Sequence, residues 1–407
     1  MSTLTKVYSS KGEIPTDSLR CWLEINLSNL KNNIDTIRSV ITDKKDIIAV
    51  LKANAYGFGS INIGNYLETI NIKYFAVATL QEALDLRLIG KVTGEILILT
   101  WTPVSEKETL IKYNLTQTLI NYDYAKKLND APGVVKCHIK VDTGLNRFGL
   151  KVKDIDLFKK MFELKNLNIL GIFSHLCRET EFDEEGNNYS QMQIDSFNKV
   201  VDELEKAGLN VGIKHFLNSI GLLRFDNSKY DMVRPGLILY GLPPETDCEE
   251  IFFLEKNFKP IGALKCKVMM VKIVEKGEKI GYNSKYTADE RMKIATISIG
   301  FVDGFPSATF RNKFSVVIKG IACPITGKVC MDSTMVKVPF DSDIKEGDIV
   351  TVFGFDEKEN LVNFKEFFTK TGLSIEETTV ILIVEAASCR GRFRNFRKSK
   401  SSASRPA

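Results

Sequence analysis

The chain has 407 residues, 44% hydrophobic and 26% charged, a globular composition long enough for one large and one smaller domain. Its formal charge of +5 is concentrated at the C-terminus: residues 388–407 hold seven cations (Arg390, Arg392, Arg394, Arg397, Lys398, Lys400, Arg405) and no acid, which leaves residues 1–387 at about −2 and excludes a nucleic-acid or membrane surface on the body. No run of about eighteen apolar residues occurs, the start Met-Ser-Thr-Leu-Thr-Lys lacks a signal-peptide core, and the eight cysteines are scattered with no Cys-x-x-Cys pair; together these predict a cytoplasmic protein with reduced thiols and no metal site.

In chain order, Cys21–Asn26 reads as an early strand, and Leu27, Leu30, Ile34, Ile37 and Ile41 recur at helical spacing. Short apolar, β-branched runs then alternate with helical segments: Ile47–Leu51, Tyr74–Ala78, Ile96–Leu99, Gln117–Ile120, Lys136–Val141, Ile169–Ser174, Val211–Phe216 and Tyr230–Arg234. Eight such units predict an α/β fold, an N-terminal (β/α)8 TIM-like barrel, over a doubly wound open sheet. No Gly-x-Gly-x-x-Gly follows an early strand, which disfavours a dinucleotide fold. From about residue 256 strands follow one another without helices (Ala263–Val274, Arg291–Ile299, Phe314–Ile318, Gly327–Val338, Asp348–Phe353), the pattern of a C-terminal, mainly antiparallel β domain. The expected divisions are residues 1–26, a segment whose strand pairs with the C-terminal domain; 27–255, the barrel; 256–377, the β domain; and 378–407, a divergent basic tail, disordered at its end.

Active sites of βα barrels gather at the C-terminal ends of the strands. There this chain places Lys52 and Tyr56 after the first strand, Asp142-Thr143-Gly144-Leu145-Asn146-Arg147 after the fifth, His175 after the sixth, Asn218-Ser219 after the seventh and Arg234-Pro235-Gly236 after the eighth. Singly, each has a plainer role: Lys52 a strand-end lysine in water, His175 a hydrogen-bonded core histidine, Arg147 a loop tether, Ser219 a helix cap. Their concentration on one rim favours a reaction centre. A lysine at the exit of an apolar strand is open to desolvation, which frees its lone pair for Schiff-base chemistry.

Leu51–Gly57, Lys140–Gly149, Ser174-His175-Leu176, Leu217-Asn218-Ser219, Met232–Gly236, Gly281-Tyr282 and Val329–Asp332 occur in that order, and with them the chain resembles the alanine racemases, pyridoxal-phosphate enzymes built from a barrel and a β domain. The resemblance implies that Lys52 carries pyridoxal 5'-phosphate as a Schiff base. Tyr56, Asn218, Ser219, Gly236 and Leu237 then serve its phosphate side, where hydroxyls and backbone N–H groups suit a phosphate. Arg147 suits the anionic phenolic oxygen and the substrate carboxylate, and Met331 lines the substrate site. Arg234 faces the ring nitrogen, where a permanently charged donor weakens the electron sink and limits side reactions.

The resemblance also implies a two-base mechanism with Lys52 on one face of the substrate and Tyr282 on the other. A phenol of ordinary pKa about 10 needs help to act as a base, and His175 supplies it. Tyr282 comes from a partner subunit, which implies a homodimer with composite sites. Lys140 matches a lysine that is carbamylated in several relatives, its new anion orienting Arg147. The expected activity is interconversion of L- and D-alanine, supplying D-alanine for peptidoglycan. The alternatives are a serine or broad-specificity amino-acid racemase and a non-catalytic carrier of the same cofactor. Phe173-Ser174-His175-Leu176-Cys177 resembles the soluble part of serine/alanine racemases linked to glycopeptide resistance. The chain departs from the family at Phe58, often histidine in relatives, at Arg178, and in having no tyrosine after Tyr286.

Overall fold

The computed structural model describes residues 8–9, 12–13, 19–41, 45–242, 257–362, 364–371 and 374; the tail expected at 378–407, Cys248 and Cys389 lie outside them. The chain divides into two compact units, Asn26–Ile261 and Met1–Ile25 with Gly262–Ala407. No helix among the described residues is long and apolar enough to cross a membrane.

Strand β1 (Cys21–Ile25) belongs to the second unit, and helix α1 (Leu27–Val40) opens the first. The Asn26 side chain caps α1 by accepting from Asn29 N, and the helix buries Leu30, Ile34 and Ile37. The one polar residue on that buried face, Asn33, donates to the carbonyls of Leu239 and Lys259, so its burial leaves no donor unpaired. The barrel strands are β2 (Asp46–Val50), β3 (Tyr74–Val77), β4 (Glu95–Ile98), β5 (Leu115–Leu119), β6 (Val135–Asp142), β7 (Leu167–Phe173), β8 (Ile213–His215) and β9 (Met232–Val233). Each pairs in parallel with the next, and β9 pairs with β2 (Met232↔Asp46, Val233↔Ile47), which closes an eight-stranded parallel barrel. Helices α2 (Ser60–Thr69), α3 (Leu80–Leu84), α4 (Lys107–Lys112), α5 (Tyr122–Asp130), α6 (Ile155–Phe162), α7 (Glu184–Lys206) and α8 (Ser219–Arg224) connect them. Strands β2 to β6 are buried almost throughout, as both faces of a covered parallel sheet require; β2, β3 and β4 are mainly apolar, whereas β5 and β6 bury Thr116, Gln117, Thr118, His138 and Lys140 among their apolar residues.

The second unit is an antiparallel sheet of β10 (Gly262–Val274), β11 (Met292–Ile297), β12 (Ser315–Ile318), β13 (Ile321–Pro324), β14 (Thr334–Val338) and β15 (Ile349–Phe355), ordered β13-β12-β15-β10-β11-β14. Strand β1 pairs with β10 in continuous register from Ile25↔Gly262 to Cys21↔Cys266. Helix α9 (Phe364–Thr371) buries Phe367 against Phe305, Phe314 and Phe353, with ring centroids 5.1–6.2 Å apart.

One expected strand is wrong in extent. Gly327–Val338 reads as a single strand, but only Thr334–Val338 enters the sheet. Phe301 N and Val302 N donate to the carbonyls of Cys330 and Met331, and Cys330 N donates to Ser333 O, so this backbone folds as a loop against 300–303 and is spent before any ladder could use it. The hairpin strand β13 was hidden in sequence by its short length and the Lys319-Gly320 turn.

Candidate active site

The rim residues of the barrel unit come from the C-terminal ends of its strands. After β2 the chain enters an unusual backbone: Ala53, Asn54, Ala55 and Tyr56 all have φ between 50° and 56°, a left-handed helical turn without a glycine. An L-residue in this region costs roughly 1–2 kcal/mol, so the turn stores strain that its surroundings must offset. Ala55 N donates to Leu51 O and Gly57 N to Ala53 O (both 2.8 Å), while the Asn54 side chain accepts from Ser60 N at 2.9 Å. The turn folds Tyr56 back beneath Lys52, whose Nζ lies 5.7 Å from the Tyr56 ring centroid.

Tyr56 is buried and packs on Tyr240, with centroids 5.2 Å apart. A Cβ placed on Gly236 would stand 2.7 Å from the Tyr56 hydroxyl oxygen, so only glycine lets the chain approach the phenol here. Gly236 N donates to Ser219 Oγ at 2.9 Å. Because that oxygen is the acceptor, the Ser219 hydroxyl keeps its own proton to give. Asn218 caps α8, its Oδ1 accepting from Gly221 N and its Nδ2 donating to Glu179. The Tyr56 phenol, the Ser219 hydroxyl and the Leu237 N–H thus form a cradle of donors, with the Gly236 N–H spent on orienting Ser219.

Arg234, after β9, is 3% exposed and meets five acceptors. Its Nη1 group donates to His215 Nδ1 (2.7 Å) and His215 O (2.9 Å), and its Nη2 group to Ser174 O (2.6 Å), Phe216 O (3.0 Å) and His175 Nδ1 (3.3 Å). Nε–H is left uncommitted among the described residues. A guanidinium only donates, which fixes the histidine tautomers. His215 Nδ1 and His175 Nδ1 must be acceptors, so both imidazoles carry a proton on Nε2 if neutral, and His215 passes a hydrogen bond to His138 Nδ1 at 2.8 Å. Burial, and then the Arg234 charge, hold all three histidines neutral: His138 is pushed down to about 3, and His175 and His215 lie well below the usual range. Burial alone lowers Arg234 to about 9.

Lys140, on β6, is buried beneath this cluster with Nζ 4.8 Å from the Phe173 ring centroid. Burial, then Arg234 and Arg147, push its amine well below the ordinary value, with Asp142 opposing. Asp142 is itself committed to Lys151 (2.8 Å) and to the N–H groups of Gly144 and Asn146. Arg147 stands exposed on that loop. A relay ties the β6 and β7 ends together: Gln193 on α7 donates to Thr143 Oγ1 and to His175 O, Thr143 Oγ1 bonds Ser174 Oγ, and Ser174 Oγ donates to Val141 O.

Tyr282 and Met331 belong to the second unit. Tyr282, after Gly281, is 65% exposed, Met331 58%, and both line a cleft of about 620 Å³ with Ile273, Ile280 and Asp332. Arg20, just before β1, clamps this region by binding Asp303 and donating to Ser298 O (3.2 Å) and Asp332 O (2.6 Å).

Residues 25–244 match the family model of the alanine racemase N-terminal domain, and residues 261–384 that of its C-terminal domain. The chain belongs to the alanine racemase family. The second match runs past Thr378, where the tail was expected to diverge, into residues outside the described set. An amino-acid racemase of Enterococcus faecalis is 36% identical over 358 residues, 88% of this chain and 50% of its own length; the chain spans about half the length of the first curated relatives it matches. The alanine racemase of Methanococcus maripaludis is 35% identical over 86% of this chain and 93% of its own. The alanine racemase structure of Clostridium difficile superposes with a TM-score of 0.81 at 31% identity, covering 89% of this chain and 93% of that one. The family fold, a parallel barrel followed by an antiparallel β domain, is the one observed.

Sequence reasoning missed His138, His215, Gln193 and Glu82. A count was the available signal for the first two: the chain has only three histidines, and all three meet in one network.

Proposed function

We propose that this chain is a pyridoxal 5'-phosphate-dependent alanine racemase that interconverts L- and D-alanine. The observation that carries the reading is Arg234: a buried guanidinium fixed by five acceptors, with Nε–H in reserve, is a positioned single donor for a ring nitrogen. The residues present fit the cofactor, because the cradle that a Cβ on Gly236 would fill offers donors to a phosphate, and Lys52 stands on the same rim. When bound, the cofactor withdraws electrons from the substrate Cα and makes its proton removable.

The chain's own residues do the rest. Lys52 Nζ takes or returns the Cα proton on one face, and the Tyr282 phenolic oxygen, supplied by a second copy of the chain, on the other. With Nδ1 accepting from Arg234, His175 offers Nε2–H, the donor that stabilises a phenolate and lets a tyrosine serve as base. Arg147 and the Met331 backbone receive the substrate carboxylate. The Lys140 amine, whose pKa burial pushes well below the ordinary lysine value and which has no hydrogen-bond partner among the described residues, is suited in its neutral form to add to carbon dioxide with loss of a proton; the carbamate so formed balances Arg147 and Arg234. A role in supplying D-alanine for peptidoglycan, in the cytoplasm, follows from this activity.

A broad-specificity or serine racemase is the second reading, favoured by the Enterococcus faecalis relative's name and by the lack of a tyrosine after Tyr286. Chiral chromatography after incubation with the cofactor and L-alanine, L-serine or L-lysine separates the two. D-alanine as the dominant product supports the first reading; no D-enantiomer from any substrate overturns both.

A further inference from the structure

The left-handed turn after Lys52 raises the question of what holds its first residue. Ala53 N–H precedes the first bond of the turn, Ala55 N to Leu51 O, and so has no acceptor within it. Its partner comes from the next βα unit. Glu82 lies in the first turn of α3 and forms a capping box there: Glu82 N donates to Thr79 Oγ1 at 3.3 Å, and Glu82 Oε2 accepts from Thr79 N at 3.1 Å and Ala78 N at 2.7 Å. One carboxylate oxygen is enough for that cap. The other, Oε1, accepts from Ala53 N at 2.6 Å.

We infer that Glu82 is a positioning residue for Lys52. Its second oxygen holds the residue directly after the lysine, anchors the strained turn that folds Tyr56 beneath Lys52, and thereby sets the direction in which the amine leaves the strand. A capping box accepts Gln in place of Glu, so the cap alone does not require a carboxylate. What requires it is the pair of opposed demands: N–H donors face both oxygens, and only a carboxylate accepts on both sides. The inference rests on reading Lys52 as the cofactor lysine, and the test keeps the two apart.

Glu82→Gln isolates the proposed function. Its amide oxygen serves Ala78 and Thr79, and its NH2 group then faces the Ala53 N–H donor to donor, so the cap survives and the anchor fails. Two readouts are compared with the wild-type chain. One is hydrogen–deuterium exchange of the segment 52–59 in the cofactor-free protein; the other is affinity for pyridoxal 5'-phosphate, with the adduct on Lys52 trapped by borohydride and located by mass spectrometry. The expected result is faster exchange confined to 52–59 and cofactor affinity weaker by roughly ten- to a hundredfold, the worth of one hydrogen bond to a charged group. Glu68→Gln is the control: Glu68 Oε1 alone accepts from Thr93 N and Gly94 N, so an amide oxygen replaces it and neither readout moves. Should Glu82→Gln lose stability, Thr79→Ala, which removes the other half of the cap, shows how much of the change belongs to α3. A Glu82→Gln chain with wild-type exchange and affinity overturns the inference. A wild-type chain that traps no cofactor on Lys52 overturns the functional reading instead, while the exchange comparison still decides whether Glu82 holds the turn.

Discussion

Arg234 and Tyr282 stand at opposite extremes of constraint. The guanidinium is buried and engages five acceptors, on Ser174 and His175 just after β7, on His215 at the end of β8 and on Phe216 just after it, whereas the phenol is 65% exposed and has no hydrogen bond among the described residues. The barrel unit has already met the cost of holding its polar groups in fixed protonation states: three neutral histidines and one charged arginine in a single network. The β unit presents its groups unanchored on a cleft. The contrast shows which properties the barrel unit fixes by itself, namely tautomers and donor directions; in the proposed account the exposed groups are fixed only by cofactor, substrate or a second copy.

The sharpest way to break the comparison is Lys52→Ala. In the proposed account one amine both holds the cofactor and moves a proton, so this variant loses the Schiff-base absorbance and racemisation falls by roughly 10²–10⁴-fold or more. A spectrum and a chiral assay check it; near wild-type racemisation would remove Lys52 from the site. Arg234→Lys comes next. A lysine keeps the charge but cannot reach the acceptors after β7 and at the end of β8 together, so buried carbonyls lose their donor and stability drops by about 1–3 kcal/mol, with racemisation falling alongside it. Urea unfolding measures this, and an unchanged midpoint would show that the five contacts contribute nothing.

The histidines give a pH prediction with a definite sign. Their folded pKa values lie below the unfolded value of about 6.5, so the unfolded chain binds more protons between that value and the depressed ones. Stability is fully present above pH about 6.5 and is lost as pH falls, at up to about 1.4 kcal/mol per pH unit for each histidine. For His138 the loss runs down to about pH 3. Denaturant midpoints at several pH values check this, and His138→Phe should flatten the slope. The smallest effect belongs to the exposed side of the comparison: Tyr282→Phe should change stability by no more than about 0.5 kcal/mol, as a surface substitution does, and a larger shift in urea midpoint would mean that the phenol is anchored after all.

Much of this was legible in the chain. Alternating apolar runs and helical spacing gave the barrel because β2 to β6 are buried almost throughout, and the rim residues stood out because strand ends carry the chemistry. The left-handed turn was not legible, since Ala53, Asn54, Ala55 and Tyr56 contain no glycine to announce positive φ, and only the surrounding hydrogen bonds make that backbone tolerable. The His138–His215–Arg234 chain was equally hidden, because its members lie on three strands far apart in sequence and only barrel closure brings them together. Glu82 could have been found: Thr79-x-x-Glu82 is a capping-box pattern, though nothing in it reveals that the second oxygen reaches Ala53.

The central claim of the proposed function is that Lys52 and Tyr282 are two bases, one for each face of Cα, and Tyr282→Phe in deuterated water tests it most directly. Proton NMR of the Cα signals of D- and L-alanine, with cofactor present, reports which face still exchanges. The account predicts that the variant keeps Cα exchange with D-alanine, through Lys52, loses it with L-alanine, and racemises neither at an appreciable rate. Equal exchange from both enantiomers, or full racemisation, would contradict it.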